Sequence, residues 1–575
     1  MSRTQDSATH RGVISMSRFQ LVLIKPSHYD DDGYVIRWWR TLIPSNSLAA
    51  VYGLARDCAR QRVLGPDVDI DIVVIDETNA RVNIPRLVRR LRRHNNFGMI
   101  GLVGVQSNQY PRALDIARPL RAAAIPVIIG GFHVSGMLAM FKCVTPDLRE
   151  ALDMGVSLFS GEAEGRVDQL ILAAAARQMQ PIYDFVGDLP DLRGTVRPYL
   201  PRKVLRRTIG QVGSFDAGRG CPFQCSFCTI INVQGRKSRW RAADDVENII
   251  RENRAQGVYS FLITDDNFAR NRNWESIFDR IAQIRSDGFM DLRFMIQVDT
   301  LCHRIPNFVD KAKRAGVTRV FIGLENINPA NLLAAKKRQN VIGEYRRMLL
   351  AWKAAGILTY AGYIIGFPHD TPESVRQDIE IIKKQLPVDM LEFSILTPLP
   401  GSEDHKILRD RGVALDPDLN KYDVEQVCGP HPKMTAREWK QAYDLAWKLY
   451  YAPEHLETVM RRARASGIVG YGLMLLMLWF IGAAVSVENV HPMQAGVLRL
   501  KHPSERRPGL PMESAWLFYP RFVWETVQKQ TSLLCELCRI LRIAFRVARG
   551  PERLGYTDQA ILSVEGKEME RLGPY

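Results

Sequence analysis

Short, nearly unbroken apolar runs alternate with amphipathic stretches from the start of this chain. Residues 19–24 (FQLVLI), 70–75 (IDIVVI), 99–105 (MIGLVGV) and 126–129 (PVII) have the pattern of strands buried on both faces. Between them, 84–94 and 113–124 carry helical spacing. Such alternation over roughly 150 residues predicts a doubly wound parallel sheet, with ligands at the carboxyl ends of its strands. Those ends fall at 25–28, 106–110 and 130–133.

The alternation resumes further on. Strands are predicted at 259–263, 292–297, 319–324, 359–365 and 390–396, and helices at 244–253, 274–286, 307–315, 343–355 and 373–385. With a short apolar strand entering 214–230, this makes about six strand–helix units, a partial (β/α)6 TIM-type barrel whose working groups sit at the C-terminal strand ends. The stretches 264–268, 325–326, 366–368 and 397–401 lie there. The predicted organisation is α/β throughout: a disordered tail over 1–17, an α/β domain over 18–165, a linker over 166–208 (its part 181–202 is rich in Pro, Asp and Leu without period), the barrel over 209–410, a helical extension over 411–464, and an apolar and basic region over 465–575.

That last region changes the picture. Residues 465–487 (ASGIVGYGLMLLMLWFIGAAVSV) contain no charge and would span ~34 Å as a helix, enough for a bilayer core. Arg461, Arg462 and Arg464 precede it and would hold its start in the cytoplasm. A crossing would strand a basic, ordered-looking remainder outside, so a shallow or re-entrant helix on the cytoplasmic face, or a buried core helix, fits better. A second long helix, 522–547, is basic and apolar by turns and suits an anionic membrane surface. Its Cys535 and Cys538 read as packing thiols. Upstream, Thr435 and Glu438 form a capping box, while Cys428 and His431 read as a buried thiol and a surface imidazole. The stretch 488–511 is dense in His, Arg and Pro and is a candidate cover for the barrel mouth or a contact to substrate.

Nine cysteines without a disulfide-like spacing point to a reducing cytoplasm, and residues 1–19 lack the apolar core of a secretory signal. A net charge of +16 suits nucleic acid, an anionic membrane or solubility. No basic motif interleaved with aromatics is present, so nucleic acid is not expected as a partner.

The chemistry concentrates in 214–230, SFDAGRGCPFQCSFCTI. Cys221, Cys225 and Cys228 are spaced C-x3-C-x2-C, and an all-thiolate set favours an iron–sulfur cluster or zinc. A closed zinc site would want a fourth ligand, and no Cys or His follows nearby. Gly218 and Gly220 permit a tight turn, and Phe223 and Phe227 can shield the centre from water. This motif resembles the signature of the radical S-adenosylmethionine (SAM) enzymes, in which three cysteines hold a [4Fe-4S] cluster and the open iron chelates SAM. The resemblance places Asp265 and Asp266 at SAM's ammonium, Glu325 at the ribose, and Gly362, Gly366 and Pro398 beside the adenine. Asp265 or Asp266 could equally cap the next helix, and Glu325 could pair with a basic residue such as Arg319. The basic 235–241 (GRKSRWR) reads as an anion contact or a solvated face.

Set before such a core, the N-terminal unit resembles the cobalamin-binding domain of class B radical SAM enzymes. Gly130 and Gly131 would let the backbone approach the cofactor, and Ser107 and Asn108 offer polar contacts. No D-x-H-x-x-G is present, and His28 and His133 read as surface residues rather than cobalt ligands. A substrate-binding or vestigial nucleotide-type domain is the alternative. The segment 160–165 (SGEAEG) resembles the junction between the two modules. The resemblance implies a cobalamin-dependent methyltransferase acting on an unactivated carbon of a lipid-like or secondary-metabolite substrate, as in the hopanoid methylases. It implies no catalytic side chain beyond the cluster ligands, and reduced flavodoxin or ferredoxin as electron donor. The expected location is cytoplasmic, peripheral on the inner membrane face. An oxidative cyclase, like the anaerobic porphyrin-ester cyclase, is the second reading, and a membrane-associated zinc scaffold the third.

Overall fold

The computed structural model describes residues 17–468, 470–550 and 555–562. The tail expected over 1–17 lies outside them except for Ser17, which opens the first strand.

The N-terminal apolar runs form a six-stranded parallel sheet in the order Val68–Asp76, Ser17–Lys25, Gly98–Leu102, Val127–Gly130, Ser157–Ser160, Ile182–Asp184. The chain starts in the middle and winds outward both ways, so strand ends diverge there and leave a crevice. The last two strands carry the sheet into the range expected as linker, joined by the helix Val167–Ala175. At four and three residues they are too short to show a period. Helix Asn46–Gln61, whose N-cap Ser45 accepts from the Leu48 N–H, packs across the sheet.

The second sheet is also six-stranded and parallel, ordered Gly213–Phe215, Ser260–Ile263, Arg293–Val298, Val317–Glu325, Leu358–Ile365, Met390–Ile395. Each strand pairs with the next in sequence, the open half-barrel expected. Phe261 and Phe294 stack at 5.6 Å inside it, and Trp352 and Tyr345 are fully buried behind it.

In the C-terminal region, helix Ala436–Tyr450 starts with the expected Thr435/Glu438 capping box. The unbroken helix expected over 465–487 is interrupted: Pro453–Ala465 ends, Gly467 and Gly470 adopt positive φ, and a new helix runs Tyr471–Ala483, continuing as a wider turn to Glu488. Tyr471–Glu488 is long and apolar enough to cross a membrane, and a third of it is buried inside the protein. The chain then returns to the N-terminal domain. Strand Gly496–Arg499 pairs antiparallel with Trp38–Thr41, and the buried Glu505 carboxylate accepts from Arg37 at 2.6 Å. A side chain on Gly496 would fall 2.4 Å from the Trp38 ring. The His/Arg/Pro-rich stretch is therefore an ordered cover. Last comes a 35-residue helix, Ala515–Arg549, against Pro453–Ala465 and Tyr471–Ala483.

Candidate active site between the two sheets

The cysteine loop leaves the first barrel strand and is shaped by Asp265. This buried carboxylate accepts from the N–H groups of Ala217 (2.7 Å) and Gly218 (2.8 Å) and from Asn271 Nδ2 (2.8 Å). A Cβ on Gly218 would collide with Asn271 and Asp265, and Gly220 needs its φ of +87° against the Lys237 carbonyl. Both Asp265 oxygens are thus committed within the chain, and its neighbour Asp266 is the carboxylate that faces the thiols. Burial, then Asp265, raises Asp266 to about 7. Neither residue caps a helix; Trp274–Ser286 begins at Asn273.

Burial pushes the Cys221 thiol up to about 11 and Cys228 up to about 12, and Cys225 adds to both, so the three sulfurs share one space. Among the described residues no three Cys, His, Asp or Glu converge tightly enough to grip a single ion. An all-thiolate set of three is a soft-metal donor set that suits an iron–sulfur cluster. Bound iron would also supply the positive charge that buried thiolates require.

The opposite wall comes from the segment after Glu325. Glu325 has a positive φ and pairs with Lys337, not with Arg319. The Lys337 ammonium sits 5.7 Å from the Phe227 ring, and Gln339 Nε2 donates to Cys225 Sγ at 3.4 Å. Gly362 lies in register with Gly323 and Glu392 across three strands, flanked by the Phe321 ring. Pro398 is buried in the turn after the last strand, where the neighbouring Gly401 packs directly on Gly136 of the N-terminal domain.

At the carboxyl edge of the N-terminal sheet a mostly apolar cavity is lined by Leu21, Gly101, Gly104, Gly131, Phe159 and Leu170. Glycine is required on its floor: a Cβ on Gly131 would fall 2.1 Å from Val105 N, and on Gly104 2.7 Å from Ser47. Gly130 lines it too. A glycine-floored slot at a sheet switch point fits the tail of a large planar cofactor. His133 is buried, not at the surface as expected: its Nε2–H donates to Asp147 (2.8 Å) and Nδ1 accepts from Ser107 Oγ (3.1 Å). Burial alone would raise Asp147, but His133 holds it at about 2. His28 is likewise buried, and burial lowers it to about 3.

A second cavity, about 540 Å3, lies where the two sheets face each other. Ser107, Asn108 and His28 come from the N-terminal domain, Thr229 and Ile230 directly follow Cys228, Glu392 and Ser394 come from the last barrel strand, and His491 and Gln494 from the C-terminal cover. Tyr360 donates to Glu392 there, and burial raises that carboxyl to about 7.

The two halves are locked by the SGEAEG segment. Arg219, two residues before Cys221, binds Glu162 (2.7 Å), Glu164 (2.6 Å) and Asp216 (3.1 Å), and Glu162 also takes Arg239. Burial alone would raise Asp216, but Arg219 and Arg241 hold it at about 2. The basic 235–241 thus contributes structural anchors, Arg239 and Arg241, to this lock. Sequence reasoning missed Lys337, Gln339, Arg219 and Glu392; the basic run 336–338 was the one local signal. Cys428 is buried as expected, whereas His431 is half-buried and its Nε2–H donates to the Phe367 carbonyl (2.9 Å). Cys535 and Cys538, expected to pack, are exposed.

Comparison with known proteins agrees with this geometry. Residues 217–382 match the Radical SAM superfamily. The chain is 27% identical over 349 residues to a bacteriochlorophyllide d C-8(2)-methyltransferase of Chlorobaculum tepidum, covering 57% of this chain and 73% of that protein. It is 25% identical over 388 residues to a hopanoid C-2 methylase of Rhodopseudomonas palustris (64% and 70%). With an uncharacterized methyltransferase of Pyrococcus horikoshii it shares 31% identity over 364 residues (58% and 73%). The radical SAM methyltransferase TsrM from Kitasatospora setae, solved with cobalamin and a [4Fe-4S] cluster bound, has the same fold: TM-score 0.57 at 15% identity, over 79% of this chain and 97% of that one.

Proposed function

Since this chain belongs to the cobalamin-binding radical SAM enzymes, we propose that it is a methyltransferase that places a methyl group on an unactivated carbon of an apolar small molecule. The observation that carries this reading is the shared cavity: its walls include the residues directly after Cys228 and the Ser107–Asn108 edge of the N-terminal domain. A substrate there would face both cofactors. When bound, the cluster, SAM and cobalamin supply a 5′-deoxyadenosyl radical for hydrogen abstraction and a methyl donor for the resulting carbon centre.

The chain's own residues divide the remaining work. Cys221, Cys225 and Cys228 would hold the cluster. Asp266 would meet SAM's ammonium, with Asp265 shaping the loop beneath it. Glu325, neutralised by Lys337, would lie at the ribose, and Gly362, Gly366 and Pro398 on the adenine side. Gly130 and Gly131 would seat cobalamin in the glycine-floored slot, and Ser107 and Asn108 would offer it polar contacts. The cover from 488 to 511 would close the site over the reacting groups and limit side reactions. Reduced flavodoxin or ferredoxin would deliver the electron, since the cysteine loop calls for an external reductant. The bacteriochlorophyllide and hopanoid relatives support a bulky, membrane-soluble substrate, and so a cytoplasmic enzyme working at the inner membrane face.

The test is anaerobic reconstitution with iron, sulfide and cobalamin, followed by comparison of lipid and pigment extracts from parent and deletion strains. A product heavier by one methyl, with S-adenosylhomocysteine and 5′-deoxyadenosine formed together, is expected. A product of unchanged carbon count would overturn methyl transfer and favour oxidative cyclisation.

A further inference from the structure

The helix Ala515–Arg549 buries one face, through Phe518, Ile540, Ile543, Ala544 and Val547. Its opposite face is also apolar, yet among the described residues it lies open. Trp516 is 90% exposed, Trp524 64%, Leu534 63%, Val523 59% and Phe545 56%, with Val527 and Leu541 half exposed between them. Steps of seven, four, seven, seven and four residues join 516, 523, 527, 534, 541 and 545, so these side chains stand in one row. The row is ~44 Å long. The exposed Cys538 falls beside this row, and the exposed Cys535 lies about a quarter turn away. An uncovered apolar surface of this extent marks an interaction site.

We propose that this row is the surface on which the protein docks to an anionic lipid bilayer, lying in the plane of the headgroups. The assignment rests on the membrane-side placement given under Proposed function, and it stands apart from the chemistry. Three observations favour lipid over a second copy of the chain. The helix carries six Lys and Arg against two Asp and Glu. Both acids are already paired, Glu525 with Lys501 and Lys529 and Glu536 with Arg539, leaving exposed Arg542 and Arg549 beside the row. The Trp516, Tyr519 and Trp524 rings crowd one end, as aromatics do at membrane interfaces, while arginines with long apolar stems gather at the other. A parallel pairing of two such helices would instead press those cationic ends together. The geometry is that of an interfacial helix: apolar outward, cationic rim, parallel to the surface. The apolar Tyr471–Ala483 helix packs against it and supports it from within the protein.

The experiment is co-sedimentation of the full-length, cluster-loaded protein with phosphatidylglycerol/phosphatidylethanolamine vesicles and with phosphatidylcholine vesicles. Binding to the anionic vesicles is expected, weakened by salt, and lowered about ten-fold or more in the double variant Trp516→Glu/Trp524→Glu. Unchanged visible absorption and far-ultraviolet dichroism would show that the variant is folded. A readout free of any variant is tryptophan quenching by brominated lipids in the unaltered protein, which should be strong. No quenching and equal sedimentation with and without vesicles would overturn the proposal. So would a parent dimer in sedimentation velocity that the double variant dissolves without vesicle binding. Methyl transfer to detergent-dispersed substrate is a separate readout, so failure of the surface and failure of the chemistry are distinguishable.

Discussion

The Trp439 indole fills the space that any side chain on Gly366 would need. A Cβ there would lie 1.9 Å from the ring, and Trp439 Nε1 donates to the Ile365 carbonyl at 2.9 Å. Gly366 also sits at φ +111°. The helical extension is therefore pinned to the end of the fifth barrel strand. Gly366→Ala combines backbone strain with overpacking and should cost about 2–4 kcal/mol. Trp439→Phe keeps most of the ring, and the Ile365 carbonyl retains the Leu396 N–H, so it should cost only about 1 kcal/mol. Urea unfolding of both variants checks the ranking; a milder glycine variant would refute it.

Much of this was legible because long strands and local spacings leave local signals. Leu358–Ile365 is a full apolar run, and Cys221, Cys225 and Cys228 declare themselves by spacing alone. Ser157–Ser160 and Ile182–Asp184 are too short to announce a period. The pairing of Gly496–Arg499 with Trp38–Thr41 joins opposite ends of the chain, and no window of sequence contains it. The same holds for the lock of Arg219 on Glu162 and Glu164. Asp265 was legible as important, but its burden is holding Ala217 and Gly218, which only the folded loop reveals. Gly366 stood out only through the family resemblance, which puts it on the adenine side; the constraint the fold shows there is an indole ring.

Cys225→Ala removes one of three thiols and the sulfur that Gln339 contacts. Anaerobically reconstituted variant should lose the visible iron–sulfur absorption and form no 5′-deoxyadenosine, while its far-ultraviolet dichroism matches the parent. Undiminished iron content would remove Cys225 from the ligand set.

The Arg219 lock predicts a particular acid sensitivity. Replacing Arg219 by Met leaves three buried carboxylates without their shared cation and should cost about 3–5 kcal/mol. Asp216, held at about 2, and Glu164, also lowered, have folded values below their unfolded ones. Their stabilisation is complete above about pH 4.5 and drains as pH falls through 4 toward 2. Parent stability should therefore drop across that window, and Arg219→Met should show a flatter acid limb. Denaturant titrations between pH 3 and pH 6, stepped by about half a unit, measure this directly.

Ala50 lines the glycine-floored slot from helix Asn46–Gln61. Ala50→Phe should fill the slot while leaving Cys221, Cys225 and Cys228, which do not line it, in place. Cobalamin retention after gel filtration, read from corrin absorption, should fall at least about ten-fold. Iron content should stay at the parent level. Full cobalamin retention would move the cofactor elsewhere.

Glu392 makes a prediction of opposite sign. Burial raises its carboxyl to about 7, although the Tyr360 hydroxyl bonded to it pulls the other way. The folded value lies above the unfolded one, so the favourable contribution is fully present below about pH 4.5 and is lost as pH rises through 7. Glu392→Gln preserves shape and still accepts from Tyr360, but cannot ionise. It should match the parent at pH 5 and exceed it by about 1–3 kcal/mol at pH 8. Because Glu392 lines the shared cavity, the same variant should also raise the substrate KM while leaving SAM cleavage in the absence of substrate unchanged. Thermal unfolding at the two pH values separates the first effect from the second, and equal stability loss at both would show that the carboxylate is ionised and paired in the fold.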